Sequence, residues 1–262
     1  LVALLKAGTV LHADETPVQQ LDPGAGKTKR AYLWAYRSNA LQGAPPIVVF
    51  DYQSSRSGVH ARDFLQDWRG HLMVDDYGGY KALFGAQVTE LASLAHCRRK
   101  FFDLHAAGGH PVAAEALRRI GELYAVEEQA REGTIAARMA LHHYLSTQRL
   151  RTADGSGLAR AIDYSLKRWP ALQRYVDGGA LPIDNDPVEN AIRPIALGRR
   201  NWLFTGSERA GQRAAAIQSL LATAKLNGVE PHAWLKDTLE KLPTWPYSRL
   251  DELLPLAPSP AP

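Results

Sequence analysis

Cysteine is almost missing from these 262 residues: Cys97 stands alone. A single thiol excludes an intramolecular disulfide and any multi-cysteine zinc site, and it suits a reducing cytoplasm. The neighbouring His96 does not change this, because no further spaced cysteines or histidines accompany the pair. Long apolar runs are missing as well. None approaches the ~18 residues of a membrane helix, and no secretory leader is visible at the start, so the expectation is a cytoplasmic protein without a membrane partner. A phosphate-binding loop is also absent: Gly24-Ala-Gly-Lys-Thr28 lacks the first glycine of that spacing and sits among turn residues. The chain starts at Leu1 in mid-pattern without a methionine, and is read as part of a longer protein.

What is present is an ordinary globular composition, 45% hydrophobic and 22% charged, long enough for one large domain or two modest ones. The net charge of +4 is unevenly spread: between Glu189 and Arg213 five arginines face two acids. Further basic clusters lie at Lys27, Lys29 and Arg30 and at Arg98, Arg99 and Lys100. Patchy positive charge of this kind suits a polyanion, although any one cluster also reads as a solvated face.

In chain order, Thr9-Val-Leu-His-Ala-Asp14 is a β-prone run ending on a carboxylate, with Pro17 expected to end or bend it. Ala31–Tyr36 and Ile47–Phe50 complete a three-stranded meander. A helix is expected over Ser57–Trp68, closed by Gly70, and then a strand, His71–Val74, ending on Asp75 and Asp76. Val88–Leu94 reads as a further strand. His96–Phe102 reads as a helix start whose basic first turn opposes the helix dipole, which suggests ligand binding at Arg98, Arg99 and Lys100. From Pro111 to about Tyr175 the pattern is helical throughout, broken at Gly133, at Asp154–Gly157 and at Gly178-Gly179 into three helices. Later, Ser207 caps a helix whose expected stripe is Ile217, Leu220, Leu221 and Ala224; another helix follows Pro231, and the Pro-rich tail from Pro243 has little core-forming power.

The stretch from Leu181 to Phe204 draws a carboxylate, arginines and aromatics around one helix. Asp186 suits the N-cap and Pro187 the first helical position, which puts Glu189 on the first turn and Arg193 a turn further along the same face. Asp186 and Glu189 also have the spacing of a capping box, so Glu189 reads either as a helix-end ligand or as a catalytic acid. Two acids at strand ends and a third on a helix is what a two-metal phosphoryl-transfer site needs, if the fold brings them together.

Six motifs carry a resemblance that runs over nearly the whole chain. His12-Ala-Asp-Glu-Thr-Pro17, Phe50-Asp-Tyr52 with Arg56-Ser-Gly58, Val74-Asp-Asp-Tyr-Gly-Gly-Tyr80, Ala95-His-Cys-Arg-Arg-Lys-Phe101, Asp184-Asn-Asp-Pro-Val-Glu-Asn-Ala-Ile-Arg193 and Gly198-Arg-Arg-Asn-Trp-Leu-Phe-Thr-Gly206 resemble, in this order, the transposases of the insertion-sequence sixty-six family. Thr223–Pro231 extends the likeness. The resemblance implies an α/β fold, a ribonuclease H-like mixed-sheet core with an all-helical insertion and a helical C-terminal segment. Its parts would be residues 1–110 and 181–228 for the core, 111–180 for the insertion and 229–262 for the C-terminal helix and tail. It implies a metal triad of Asp14, Asp75 and Glu189 holding two Mg²⁺ or Mn²⁺ ions, with Asp76 standing where the family has a small residue. It further implies metal-dependent DNA strand cleavage and strand transfer on element ends and target DNA, by a homo-oligomer assembled on DNA. A metal nuclease without strand transfer, or an inactive DNA-binding remnant, would use the same fold. Arg98, Arg99, Lys100, Arg193, Arg199 and Arg200 are the expected phosphate contacts, and Trp202 is the expected stacking residue. No reader module is apparent, so DNA binding with little sequence preference is expected, with a recognition region upstream of Leu1.

Overall fold

The computed structural model describes residues 1–129 and 131–256. The chain divides into two compact units, Leu1–Thr89 together with the segment from Asp186 onward, and Glu90–Asn185.

The first unit is built on a mixed sheet. Its strands are β1 (Val10–Asp22), β2 (Lys27–Ser38), β3 (Val48–Gln53), β4 (Gly70–Val74) and β5 (Val88–Ala92), in the order β3-β2-β1-β4-β5. The strands β1, β2 and β3 pair antiparallel, and β4 runs parallel to β1 over Val10↔His71 to His12↔Met73. Alternation sorts the side chains onto two faces. Leu11, Ala13, Trp34, Tyr36 and Val49 pack with Ala61 and Leu65 of helix α2 (Val59–Leu65) and with Tyr80, while helix α1 (Val2–Lys6) adds Leu5. On the opposite face Val18, Ala31, Leu33, Ala35 and Phe50 meet Val188, Ile192 and Ile195 of a later helix, Asp186–Trp202.

The second unit holds helices α3 (Leu94–Gly108), α4 (Pro111–Gln129), α5 (Arg131–Leu150), α6 (Gly157–Lys167) and the four-residue α7 (Trp169–Leu172). Phe101, Ala116, Ile120, Leu123, Leu145 and Ile162 form its core. Gly133 lies inside α5 and does not break it; α4 is described to Gln129 and α5 from Arg131. Returning to the first unit, the chain ends in α8 (Asp186–Trp202), α9 (Glu208–Leu226) and α10 (Pro231–Lys241). Within the Pro-rich tail Pro255 is buried and Leu256 packs on the core cluster around Trp34, so the tail is docked at that point, while residues 243–252 are mostly exposed; residues 257–262 lie outside the described residues.

Several expectations are corrected here. Strand β1 does not stop at Pro17 but continues to Asp22, which makes Asp14 a mid-strand residue. The reason lies on the strand's outer edge. The Pro17 carbonyl accepts a hydrogen bond from Arg199, so the backbone polar groups of Pro17 face away from β2 and its missing N–H interrupts no ladder bond. Helix α2 is shorter than expected, ending where Gln66 takes φ 49°. Gly70 is the first residue of β4 at φ 153°, and a Cβ there would come within 2.2 Å of the Thr9 carbonyl oxygen. Strand β5 ends at Ala92, and α3 begins at Leu94, two residues earlier than expected. Arg98, Arg99 and Lys100 therefore lie beyond its first turn, where the dipole argument for ligand binding no longer applies. The first-turn amide of Ala95 is instead bonded by Asp184 at 2.7 Å, a carboxylate that also accepts from the Tyr124 hydroxyl at 2.7 Å.

Helix α9 is capped by Ser207 and buries Ala224 as expected, but the rest of its buried stripe is Gly211, Ala215, Ser219 and Thr223, with Ile217 exposed and Leu220 and Leu221 half-buried. This stripe covers the open edge of β3. The Ser219 hydroxyl accepts the Phe50 amide at 2.8 Å, the Thr223 hydroxyl accepts the Val48 amide at 3.2 Å, and the Asn227 side chain donates to the Pro46 carbonyl at 2.8 Å. Gly211 permits the close approach, since a Cβ there would lie 2.4 Å from the Tyr52 ring. Small polar residues thus do here what an apolar stripe does elsewhere: they satisfy an edge strand that would otherwise face solvent or another chain. The double variant Ser219→Ala, Thr223→Val keeps the volume but removes both acceptors, leaving two buried amides unpaired. A stability loss of about 2–5 kcal/mol is expected in urea denaturation, and a loss within experimental error would show that these bonds carry no weight.

Candidate functional site

Asp14 shares its face of β1 with Thr16 and Val18, the face covered by α8. Because β4 pairs with β1 in parallel, one residue for one, continuing the register past Met73 sets Asp75 beside Asp14 as β4 ends. The Asp75 carboxylate accepts the Tyr77 amide at 2.9 Å, which fixes the turn that follows. Asp76 turns to Lys81 at 3.3 Å instead. Glu189 arrives from the other direction, half-buried on the opening turns of α8. That helix begins at Asp186, so the N-cap position falls on Asn185 and Glu189 is one residue beyond the place a capping-box glutamate takes. Two arginines fasten α8 to the sheet: Arg37 of β2 donates to the Pro187 carbonyl at the start, and Arg199 donates to the Pro17 carbonyl near the end.

Asp14 lies within electrostatic reach of both other acids. Asp14 has its carboxyl pushed up to about 8, chiefly by burial, then by the charge of Glu15, with Asp75 and Glu189 adding further repulsion. The bond from the Glu15 amide to Asp14, 2.8 Å, opposes the shift without cancelling it. A donor set of carboxylate oxygens that repel one another matches a hard divalent cation in type and in charge. Among the described residues, however, no three His, Cys, Asp or Glu side chains are drawn together tightly enough to form a ligand group.

The sequence sets Glu15 aside, since it points to the opposite face from Asp14. The structure gives it a defined partner there. Its side chain is fully buried, accepting from Arg56 Nε at 2.7 Å, from Arg56 Nη2, and from the Tyr80 hydroxyl at 2.8 Å. Arg56 lies over the Tyr77 ring, 3.9 Å from its centroid, and the Tyr77 hydroxyl donates to the Arg56 carbonyl. Gly58 and Gly79 bring the two loops into contact; a Cβ on Gly58 would meet the Gly79 carbonyl oxygen at 2.0 Å. Arg56-Ser-Gly58 and Tyr77-Gly-Gly-Tyr80 are therefore one assembly. The signal available in the sequence is the pair of glycines, each close to a residue able to bond Glu15.

The predicted polyanion contacts fall in different places. Glu189, Arg193 and Arg200 share one stripe of α8 at positions i, i+4 and i+11, and both arginines are exposed. Arg199 is half-buried and already committed to Pro17. Trp202 folds back over Gly198, whose added Cβ would stand 2.9 Å from the indole nitrogen. Leu203 follows at φ 53°, a conformation strained for leucine, and Trp202, Leu203 and Phe204 are 39%, 61% and 42% exposed. Arg98, Arg99 and Lys100 are exposed on α3 in the other unit. Cys97 beside them is an inert packing residue, its thiol pushed up to about 11 mainly by burial. No helix among the described residues is long and apolar enough to cross a membrane.

Comparison with known proteins adds a sequence context. Residues 1–213 match the family described as "Transposase IS66 family", and residues 219–256 match the "IS66 C-terminal element". Among curated proteins, the chain is similar to three from Sinorhizobium fredii. "Uncharacterized protein y4qI" is 36% identical over 275 aligned residues, covering 96% of this chain and 51% of the relative. "Uncharacterized protein y4hP" is 33% identical, covering 94% and 50%, and "Uncharacterized protein y4jD" is 33% identical, covering 97% and 55%. The chain thus spans about half the length of the curated relatives it matches.

Proposed function

The chain belongs to the IS66 transposase family, and from that premise we propose that it carries a DNA-cleaving and strand-transferring centre made of Asp14, Asp75 and Glu189. The observation that carries this reading is the placement of Asp14 on β1, with the end of β4 running parallel beside it and α8 packed over its face, which puts Asp75 and Glu189 within electrostatic reach of it. Three carboxylates that repel one another gain most from a shared cation. The five-stranded mixed sheet with a helix delivering the last acid supports a ribonuclease H-like core. Asp75 is favoured over Asp76 as the second ligand, because Asp76 is paired with Lys81 whereas Asp75 is within electrostatic reach of Asp14.

In this reading Asp14, Asp75 and Glu189 would hold two Mg²⁺ or Mn²⁺ ions. When bound, such ions supply Lewis-acid activation of the attacking and leaving oxygens of a phosphodiester. The chain's own groups do the rest. Burial of Asp14 keeps bulk water from solvating the carboxylate, so its charge acts at close range. Arg193 and Arg200, on the same helical stripe as Glu189, draw the DNA backbone toward the acids, and Trp202 offers an indole face for a base near the cut end. The test is incubation of a duplex bearing the element's ends with Mg²⁺: nicked and joined products are expected, both lost with EDTA. Nicking without joining under every condition would favour the nuclease reading.

The arginines give a separate prediction. Removing Arg193 and Arg200 together should weaken DNA binding regardless of sequence and reduce the slope of log affinity against log salt by about 1.8, close to 0.9 per phosphate contact. An unchanged slope would make them a solvated face. Arg199→Ala is expected to act differently, lowering thermal stability through the lost Pro17 bond.

A further inference from the structure

Arg56 lies outside the acidic triad and outside the basic stripe of α8, yet its setting is more elaborate than a structural ion pair requires. Its partner Glu15 has a side chain with no exposure, whereas the Arg56 side chain is 45% exposed. The carboxylate is thus the buried member, and the guanidinium keeps one edge open. Nε and Nη2 both go to the same Glu15 oxygen, and among the described residues Nη1 has no hydrogen-bond partner. The flat face is taken by Tyr77, and the backbone carbonyl of Arg56 by the Tyr77 hydroxyl. Tyr77 in turn follows Asp75 by two residues and donates its amide to that carboxylate. The contact of Gly58 with Gly79 leaves no room for these loops to slide past each other. A guanidinium held along one edge by Glu15 and on one face by Tyr77, with donors left over at the flank of an acidic cluster, has surrendered much of its rotamer entropy in advance of binding. Such a group suits an oxyanion, and a phosphate best of all, since the fork geometry matches its oxygens. If Arg56 served only to neutralise Glu15, an exposed edge and a stacked face would add nothing.

We infer that Arg56 is a phosphate-binding residue of the strand-cleavage site, held by Glu15 and Tyr77 so that its outer edge meets a backbone phosphate of the strand being cut. This rests on the strand-cleavage reading above. Glu15, Tyr77 and Tyr80 are positioning residues in this arrangement; they hold Arg56 and do not touch the DNA.

The experiment is a scan in which single phosphates around the cleavage position are replaced by neutral methylphosphonates, read both as single-turnover cleavage in Mg²⁺ and as binding in EDTA. For the unaltered protein one linkage should lower cleavage by about 10²-fold, the scale of one lost preorganised donor, and should weaken binding measurably. Arg56→Gln should be slowed by a similar factor on the natural duplex and become indifferent to that linkage in both readouts. Arg56→Lys, which keeps the charge but not the fork, should recover part of the rate. Because Arg56→Gln leaves Glu15 buried without its cation, the double variant Glu15→Gln, Arg56→Gln supplies the folding control: it should melt near the unaltered protein and remain slow and indifferent to the linkage. Full activity in the double variant, or a variant as sensitive as the unaltered protein at every linkage, would overturn the inference. Absence of cleavage on all duplexes would overturn the strand-cleavage reading instead, and the binding arm would still decide whether Arg56 touches a phosphate.

Discussion

Glu189→Gln is expected to lower strand cleavage by a factor of about 10³ or more, equivalent to roughly 4 kcal/mol of transition-state stabilisation, while DNA affinity in EDTA changes by less than about twofold. The substitution removes a charge and almost no volume. Helix α8 keeps its apolar contacts through Val188, Ile192 and Ile195, its ties through Arg37 and Arg199, and the exposed Arg193 and Arg200. What it loses is one of the carboxylates repelling Asp14. Binding and chemistry should therefore separate cleanly if, as proposed, the arginines position the backbone and the acids act on the bond. Cleavage at the unaltered rate would remove Glu189 from the site. An equal fall in cleavage and affinity would make it a structural residue of α8.

Asp14→Asn is expected to stabilise the metal-free protein while destroying its activity. The folded chain holds the Asp14 proton up to about pH 8, against 3.8 as the ordinary value, so the folded state binds this proton more tightly than the unfolded one. The stability Asp14 contributes is complete below about pH 4 and is lost as pH rises toward 8, where an ionised carboxylate must be kept partly buried beside like charges. Asparagine, which never ionises, escapes that loss. In EDTA the variant should match the unaltered protein near pH 4 and exceed it at pH 8 by a few kcal/mol, on the order of 4, since each tenfold change in proton affinity is worth about 1.4 kcal/mol. Urea denaturation at the two pH values is the measurement; equal stability at pH 8 would mean that Asp14 is not under strain. Against a typical total of about 5–15 kcal/mol, a gain of this size would be conspicuous. In the proposed site, activity would be held at a cost in stability, as sites built on clustered like charge require.

The elements that carry the three acids were legible in the sequence because each is announced locally: a β-prone run at Asp14, a strand ending beside Asp75 and a helix start with proline at Glu189. The strand order that brings Asp75 beside Asp14 was not, since it depends on a parallel pairing between segments far apart in the chain, Val10 with His71. Pro17 misled for a related reason. A proline ends a strand only where its nitrogen faces a partner, and the sequence does not say which edge of β1 is occupied. Of the expected α9 stripe only Ala224 is fully buried; the other buried residues are glycine, alanine, serine and threonine, which apolar periodicity does not pick out. Their role is visible only beside the β3 edge. Glu15 was correctly assigned to the face opposite Asp14, but alternation says nothing of Arg56, 41 residues away, which gives that face its charge partner.

The contact of α9 with β3 works like a vernier, two scales of unequal division laid side by side. Four helical residues advance about 6.0 Å and two strand residues about 6.6–6.8 Å, so graduations that coincide at one rung drift by well under an ångström at the next. Ser219 meets the Phe50 amide at 2.8 Å, Thr223 meets the Val48 amide at 3.2 Å, and by Asn227 a longer side chain spans to Pro46 as the helix ends. A vernier has a single position of coincidence. Moving β3 by two residues, the smallest shift that would keep its side chains on their faces, would in one direction set Thr223 opposite Pro46, which has no amide to donate, and in the other drive the Tyr52 ring off Gly211. The helix thus reads the position of the strand and locks the register of β3 against β2, and through β2 that of the strand on which Asp14 stands.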